Sequence, residues 1–124
     1  MKAFVAKVFA DEHVSIDCIS YVFCSDTYLL KINRRFLSHE SYTDIIAFPL
    51  SVPGQPISAE IYISTDRIQE NAKEYGQTYQ SELLRVMIHG VLHLCGYNDK
   101  TKLEQREMRA VENHYLNLYR DDFT

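Results

Sequence analysis

The sequence predicts a single α+β domain in which a small mixed sheet packs against about five helices, although α/β layering fits the same string of elements. Three observations lead there. About three short strand-like segments lie among longer helical ones, and some neighbouring strands are joined by loops too short to contain a crossover helix. One helical segment, around positions 78–95, is apolar over nearly its whole circumference, as a central buried helix must be. The 124 residues carry no composition shift or Ser/Gly-rich linker, so positions 1–124 form one unit.

In chain order, Phe4, Val5, Val8 and Phe9 recur at helical spacing. From Ser15 to Cys24, Ile16 and Cys18 alternate with polar neighbours and then run into Tyr21, Val22 and Phe23, a strand pattern. Ser25 or Asp26 caps a helix through Phe36, with Leu29, Leu30, Ile32, Asn33 and Phe36 on its inner side. Ile45 to Leu50 reads as a buried strand stopped by Pro49 and the loop SVPGQP, and Glu60 to Ser64 starts another with Ile61 and Ile63 facing one way. Ser64 or Thr65 caps a helix to Tyr75, which Gly76 closes. The apolar helix then runs from Thr78 to Cys95, and an amphipathic one from Thr101 to Tyr119 turns Leu103, Met108, Val111, Tyr115 and Leu118 inward.

Composition narrows the function classes. With 46% hydrophobic and 24% charged residues the chain reads as a globular protein, long enough to bury a core without disulfides. No apolar stretch approaches the ~20 residues of a membrane span, and Lys7, Asp11 and Glu12 interrupt the start, so the expected compartment is the cytoplasm. Cys18, Cys24 and Cys95 lack CxxC spacing and are expected to be buried, reduced thiols. A formal charge of -4 gives no support for indiscriminate nucleic-acid binding. The basic pairs Arg34 and Arg35, Lys100 and Lys102, and Arg106 and Arg109 read first as solvated faces, with a basic groove on an acidic protein as the alternative.

The chemistry concentrates in HGVLHLCGYND. On a helix, His89 and His93 at i and i+4 present two imidazoles to one ion at the usual Zn–N distance of about 2.0–2.1 Å. Gly96 ends the helix and turns the chain back so that Asp99 reaches a third ligand position. The competing roles are hydrogen-bonded core histidines and an Asp99 that caps the last helix near Thr101. Three ligands leave a position open for water, whose pKa a metal lowers toward neutrality, which is the pattern of catalytic zinc. Metalloproteases of the HExxH kind place a glutamate after the first histidine, where this chain has Gly90, so proteolysis by that route is disfavoured.

The same run resembles HGxLHLxGYDH, the signature of the YbeY family of endoribonucleases that act in ribosomal RNA maturation. INRRFLSHESYTDIIAFPL resembles that family's LNxxYRxxDxxTDVLSFP block, AEIYISTDRIQENA its GDIxIS block and EQREMRAVE its EEMxxxE, so the likeness extends from about Ile16 onward. It implies a zinc-dependent endoribonuclease that cleaves single-stranded RNA and works with the small ribosomal subunit in the cytoplasm. His89 and His93 match the first two ligands, and Asp99 stands where the family usually has a third histidine; that substitution lowers the site's charge by one and weakens its attraction for phosphate. Leu37 replaces an arginine that the family places against RNA or the scissile phosphate. Arg34 and Arg35, one helical turn or less away, are the candidates to take over that catalytic and substrate-binding duty, with Asn33 and Thr43 as further matched positions. Asp44 also matches and is read as shaping a turn or a cap, and His39 as an exposed loop residue. The family usually opens with a strand ahead of its first helix, whereas this chain opens almost in the helix. Two other readings compete with the nuclease: an assembly factor on the ribosome with a mainly structural metal, and a zinc peptidase.

Overall fold

A computed structural model describes residues 2–37 and 43–119. The chain runs α1 (Lys2–Asp11), β1 (Ile16–Cys24), α2 (Asp26–Leu37), β2 (Ile45–Pro49), β3 (Ile57–Ser64), α3 (Thr65–Glu74), α4 (Tyr79–Leu94) and α5 (Lys102–Tyr119). The sheet order is β1-β3-β2, with β1 parallel to β3 and β2 antiparallel to it, so the sheet is mixed and the class α+β. β3 begins at Ile57, three residues before the expected Glu60, because its register partner Ile16 extends the pairing.

Strand periodicity distributes the core over two faces. Ile61 and Ile63 are fully buried toward α4, and the partly buried Ile19, Tyr21, Ile45 and Ala47 pack against the same core. The alternate residues Ile46, Phe48 and Tyr62 face the other way and pack with Leu29 and Ile32 of α2. α2 therefore covers one face of the sheet, and α4 lies on the opposite face, where it meets α1, α3, α5 and β2. The hydrophobic circumference of α4 is explained by this position: Leu83, Leu84, Val86, Met87, Ile88, Val91 and Leu92 are all buried. Each such side chain contributes roughly 1.5–3 kcal/mol when fully buried.

Gly90 lets α4 approach the sheet closely. A Cβ there would lie 2.6 Å from Cδ1 of Ile45 and 3.7 Å from Cγ2 of Ile61. Position 90 thus points at the sheet, and any side chain there would have to displace the terminal methyl of Ile45.

Two expectations are corrected. Leu103 and Leu118 do not belong to the inner face of α5, being 73% and 54% exposed, whereas Met108 and Tyr115 are buried and Val111 is half-buried. Leu103 sits about 140° around the helix from Met108, and the buried stripe runs instead through Met108, Glu112 and Tyr115. Nor are the thiols buried as a set: Cys18 is exposed, and Cys24 and Cys95 are half-buried, although all three are free. Cys18 lies on an edge strand and points away from the face that takes Ile19 and Tyr21 into the core.

Candidate metal centre

α4 carries the first two candidate ligands, and its end delivers the third. Thr78 caps its N-terminus, accepting a hydrogen bond from the Ser81 N–H. At the other end Gly96, at φ +104°, reverses the chain: the Tyr97 N–H donates to the Leu92 carbonyl at 3.0 Å and the Gly96 N–H to the His93 carbonyl at 3.0 Å. This pair of bonds is the Schellman closure, and it needs a left-handed residue that glycine adopts without a Cβ penalty.

The reversal brings Asp99 to the histidines. Nε2 of His89 and Nε2 of His93 are 3.0 Å apart, and Oδ2 of Asp99 lies 3.2 Å from the first and 3.4 Å from the second. A tetrahedral ion with bonds of about 2.0–2.1 Å separates its ligand atoms by about 3.3–3.4 Å. The three atoms therefore form a triangle of the size such an ion requires. The capping role left open for Asp99 belongs to other residues, because Thr101 and Glu104 exchange reciprocal hydrogen bonds, a capping box that starts α5.

Both imidazoles are held in the tautomer that frees Nε2. The Tyr97 backbone carbonyl can only accept, so Nδ1 of His93 donates to it at 3.0 Å. Nδ1 of His89 donates to Oε2 of Glu112 at 2.7 Å, and the other carboxylate oxygen takes a 3.0 Å bond from Arg85. Arg85 is anchored in turn by Oδ1 of Asn113 at 2.8 Å. A carboxylate behind a ligating histidine orients the ring and raises its basicity. Burial works against charging His89, but the hydrogen bond and charge of Glu112, with Asp99 and Asp44, outweigh it and hold its pKa above the ordinary histidine value.

The triangle opens into a cavity of about 650 Å³ whose lining includes His89, Asp99, Asp44, Glu82, Glu112 and Arg85. The ligand side chains keep 24% (His89), 33% (His93) and 38% (Asp99) of their exposure, so the site is reachable from solvent. Burial raises the pKa of Asp44, with the charges of His89 and Glu112 acting in opposite directions. Burial also raises that of Glu82, and the Asp44 charge adds to it. On the far side of the loop, the Tyr97 hydroxyl donates to Glu12 at 2.8 Å and the Tyr115 hydroxyl donates to the second oxygen of the same carboxylate, which ties the end of α1 to both the metal loop and α5.

The other residues singled out in the sequence lie elsewhere. Arg34 and Arg35 are exposed in the last turn of α2, which packs on the opposite face of the sheet, and they do not line the cavity. Asn33 is buried, 4% exposed, and Thr43 donates its hydroxyl to the Ile45 carbonyl at 3.3 Å. His39 lies outside the described residues, as does the side chain of Leu37. Asp44, read from the sequence only as a turn or cap residue, lines the cavity, while Glu112, Arg85 and Glu82 carried no assigned role. Glu112 had one visible signal, the carboxylate that ends the EQREMRAVE match.

A profile described as Endoribonuclease YbeY matches residues 1–120. The chain belongs to the YbeY family. Among its relatives, the Endoribonuclease YbeY of Christiangramia forsetii is 45% identical over 115 residues, 93% of this chain and 80% of the relative. That of Cytophaga hutchinsonii is 50% identical over 107 residues, 86% of this chain and 75% of the relative. A solution structure of a Thermotoga maritima protein superimposes with a TM-score of 0.63 at 28% identity, covering 98% of this chain and 83% of that one. For a YbeY member, the departure at Asp99 leaves the donor triangle intact, with a carboxylate oxygen as its third corner.

Proposed function

We propose that the chain is a zinc-dependent endoribonuclease, specific for single strands, that acts in ribosomal RNA maturation and quality control beside the small ribosomal subunit in the cytoplasm. The observation that carries the metal dependence is the triangle of His89, His93 and Asp99, held in ligating tautomers and open to a cavity. One zinc ion suits this mixture of two nitrogens and a carboxylate oxygen. When bound, it supplies Lewis acidity toward a phosphoryl oxygen and brings the pKa of water toward neutrality.

The chain's own residues do the rest. Glu112 and the Tyr97 carbonyl aim the imidazoles. Asp44, which lines the cavity with His89, provides a carboxylate for the proton-transfer duty that a glutamate performs in HExxH enzymes, since Gly90 faces the sheet. Arg34 and Arg35, exposed at the end of α2, take the RNA strand beyond the cavity, and the buried Asn33 and the Thr43 hydroxyl bonded to the Ile45 carbonyl hold the ends of the segment that leads to Asp44. A mainly structural metal is disfavoured by the exposure of its ligands, because structural sites are closed by four protein donors.

The test is incubation of highly purified protein with single-stranded RNA beside His89→Ala and a chelated sample. Cleavage by the parent alone is expected. Equal cleavage in all three samples overturns the proposal. Elemental analysis of Asp99→Ala is expected to show lost zinc, and an unchanged content removes Asp99 from the ligand set.

A further inference from the structure

Three cations on α5, Lys102, Arg106 and Arg109, follow one another at spacings of four and three residues and line one wall of the cavity that holds His89 and Asp99. This spacing puts them on one side of the helix. All three are exposed. Lys102 and Arg106 make no hydrogen bond or ion pair among the described residues, and Arg109 acts on Glu82 through its charge alone. Arg85, a fourth cation in the lining, is engaged by Glu112 and Asn113. Of the acids in the lining, Glu112, Asp99 and Asp44 act on His89, and Glu82 shares the fields of Arg85 and Arg109. The lining also contains Tyr75, the C-cap residue of α3, an aromatic side chain that is 59% exposed.

We propose that this groove is the path of the RNA strand next to the scissile bond: Lys102, Arg106 and Arg109 contact successive phosphates, and Tyr75 stacks on a base. The proposal rests on the endoribonuclease reading and specifies where its substrate lies. From Lys102 to Arg109 the helix advances about 10 Å, the length of about three nucleotide steps at an axial rise of ~3.4 Å for a stacked strand. Unpaired cations beside an exposed aromatic form the combination by which single strands are held without base-specific readout. The chain's net charge of -4 does not oppose this, because it is the local wall that meets the strand. On this proposal Arg106 and Arg109 follow the basic-groove alternative rather than the solvated-face one.

Two signatures separate the contacts. Fluorescence anisotropy of a labelled oligouridylate, checked on a gel for integrity after each titration, gives the affinity at several salt concentrations. Each phosphate contact contributes about 0.7 to the slope of log affinity against log salt for a single strand. The Lys102→Gln/Arg106→Gln/Arg109→Gln variant is therefore expected to lose about 2 from the parent's slope, and Arg106→Gln alone about 0.7. Tyr75→Ala is expected to weaken binding roughly 5- to 100-fold with the slope unchanged, and Tyr75→Phe to restore it. Thermal unfolding of each variant at the parent's midpoint verifies that the exposed substitutions leave the fold intact. If the parent cleaves RNA but the triple variant retains the parent's slope, the phosphate path is overturned and the proposed activity stands. An unaffected Tyr75→Ala overturns the stacking. If the parent neither binds nor cleaves, the activity falls and the path with it.

Discussion

Glu112 decides which nitrogen of His89 faces the cavity. It is 6% exposed, it is hydrogen-bonded to His89 and Arg85 at once, and its removal would leave the guanidinium without its carboxylate. Glu112→Gln keeps the size and an accepting oxygen but discards the charge, so zinc affinity measured by competition with a chelator should fall about 10- to 100-fold. Glu82 makes the opposite kind of prediction. Burial raises its folded-state pKa, so the protonated form is favoured by folding; that stability is fully present below the unfolded value of about 4.3 and is lost as pH rises through the folded value. Glu82→Gln should therefore gain stability relative to the parent as pH rises from about 4 toward 8, seen as a growing difference in urea midpoint of the metal-free proteins. A constant difference across that range would refute it. The two histidines were legible because i,i+4 spacing is local. Glu112 lies 23 residues from His89, and no periodicity states which long-range partner a helix face will meet.

At the scale of elements, capping and alternation read well from the sequence, and facing did not. The helix ends at Gly76 and Gly96 coincide with left-handed residues at φ +63° and +104°, and the starts of α3 and α4 with Ser64 and Thr78. These signals lie within a few residues of the structure they specify. Gly96→Ala should destabilise by about 1 kcal/mol or more, because alanine resists positive φ. It should also weaken zinc binding, since the Tyr97 carbonyl and Asp99 both depend on that turn; urea denaturation and a chelator titration on the same variant measure the two effects. Leu103 misled because an apolar residue at a helix start fits a periodic pattern whether or not anything packs on it. The helix places Arg34 and Arg35 within a turn of Leu37, and the two-residue alternation of β2 and β3, which a local pattern does not reveal, puts α2 on the face away from α4 and those two cations outside the cavity.

For the whole molecule, the sheet order and the parallel pairing of β1 with β3 are set by contacts between segments some 40 residues apart, which is why the element string admitted α/β layering as well as α+β. The charge was similarly misleading as a sum: a net of -4 describes the surface average and not the α5 wall. The carboxylate of Glu12, clasped by the hydroxyls of Tyr97 and Tyr115, carries a further consequence. Docking of α1 and the proposed loading of zinc share one loop, and any coupling between them is reciprocal: the factor by which a seated first helix tightens zinc equals the factor by which zinc tightens the helix. Zinc should slow hydrogen exchange of amides near Phe9 and Ala10, remote from the ligands, and Glu12→Gln should reduce both that protection and zinc affinity. Exchange at α1 that ignores the ion would show the clasp to be structural only. On this account the seating of the amino-terminal helix and the proposed metal site are read out by the same experiment, because Glu12 bonds both Tyr97 of the loop and Tyr115 of α5.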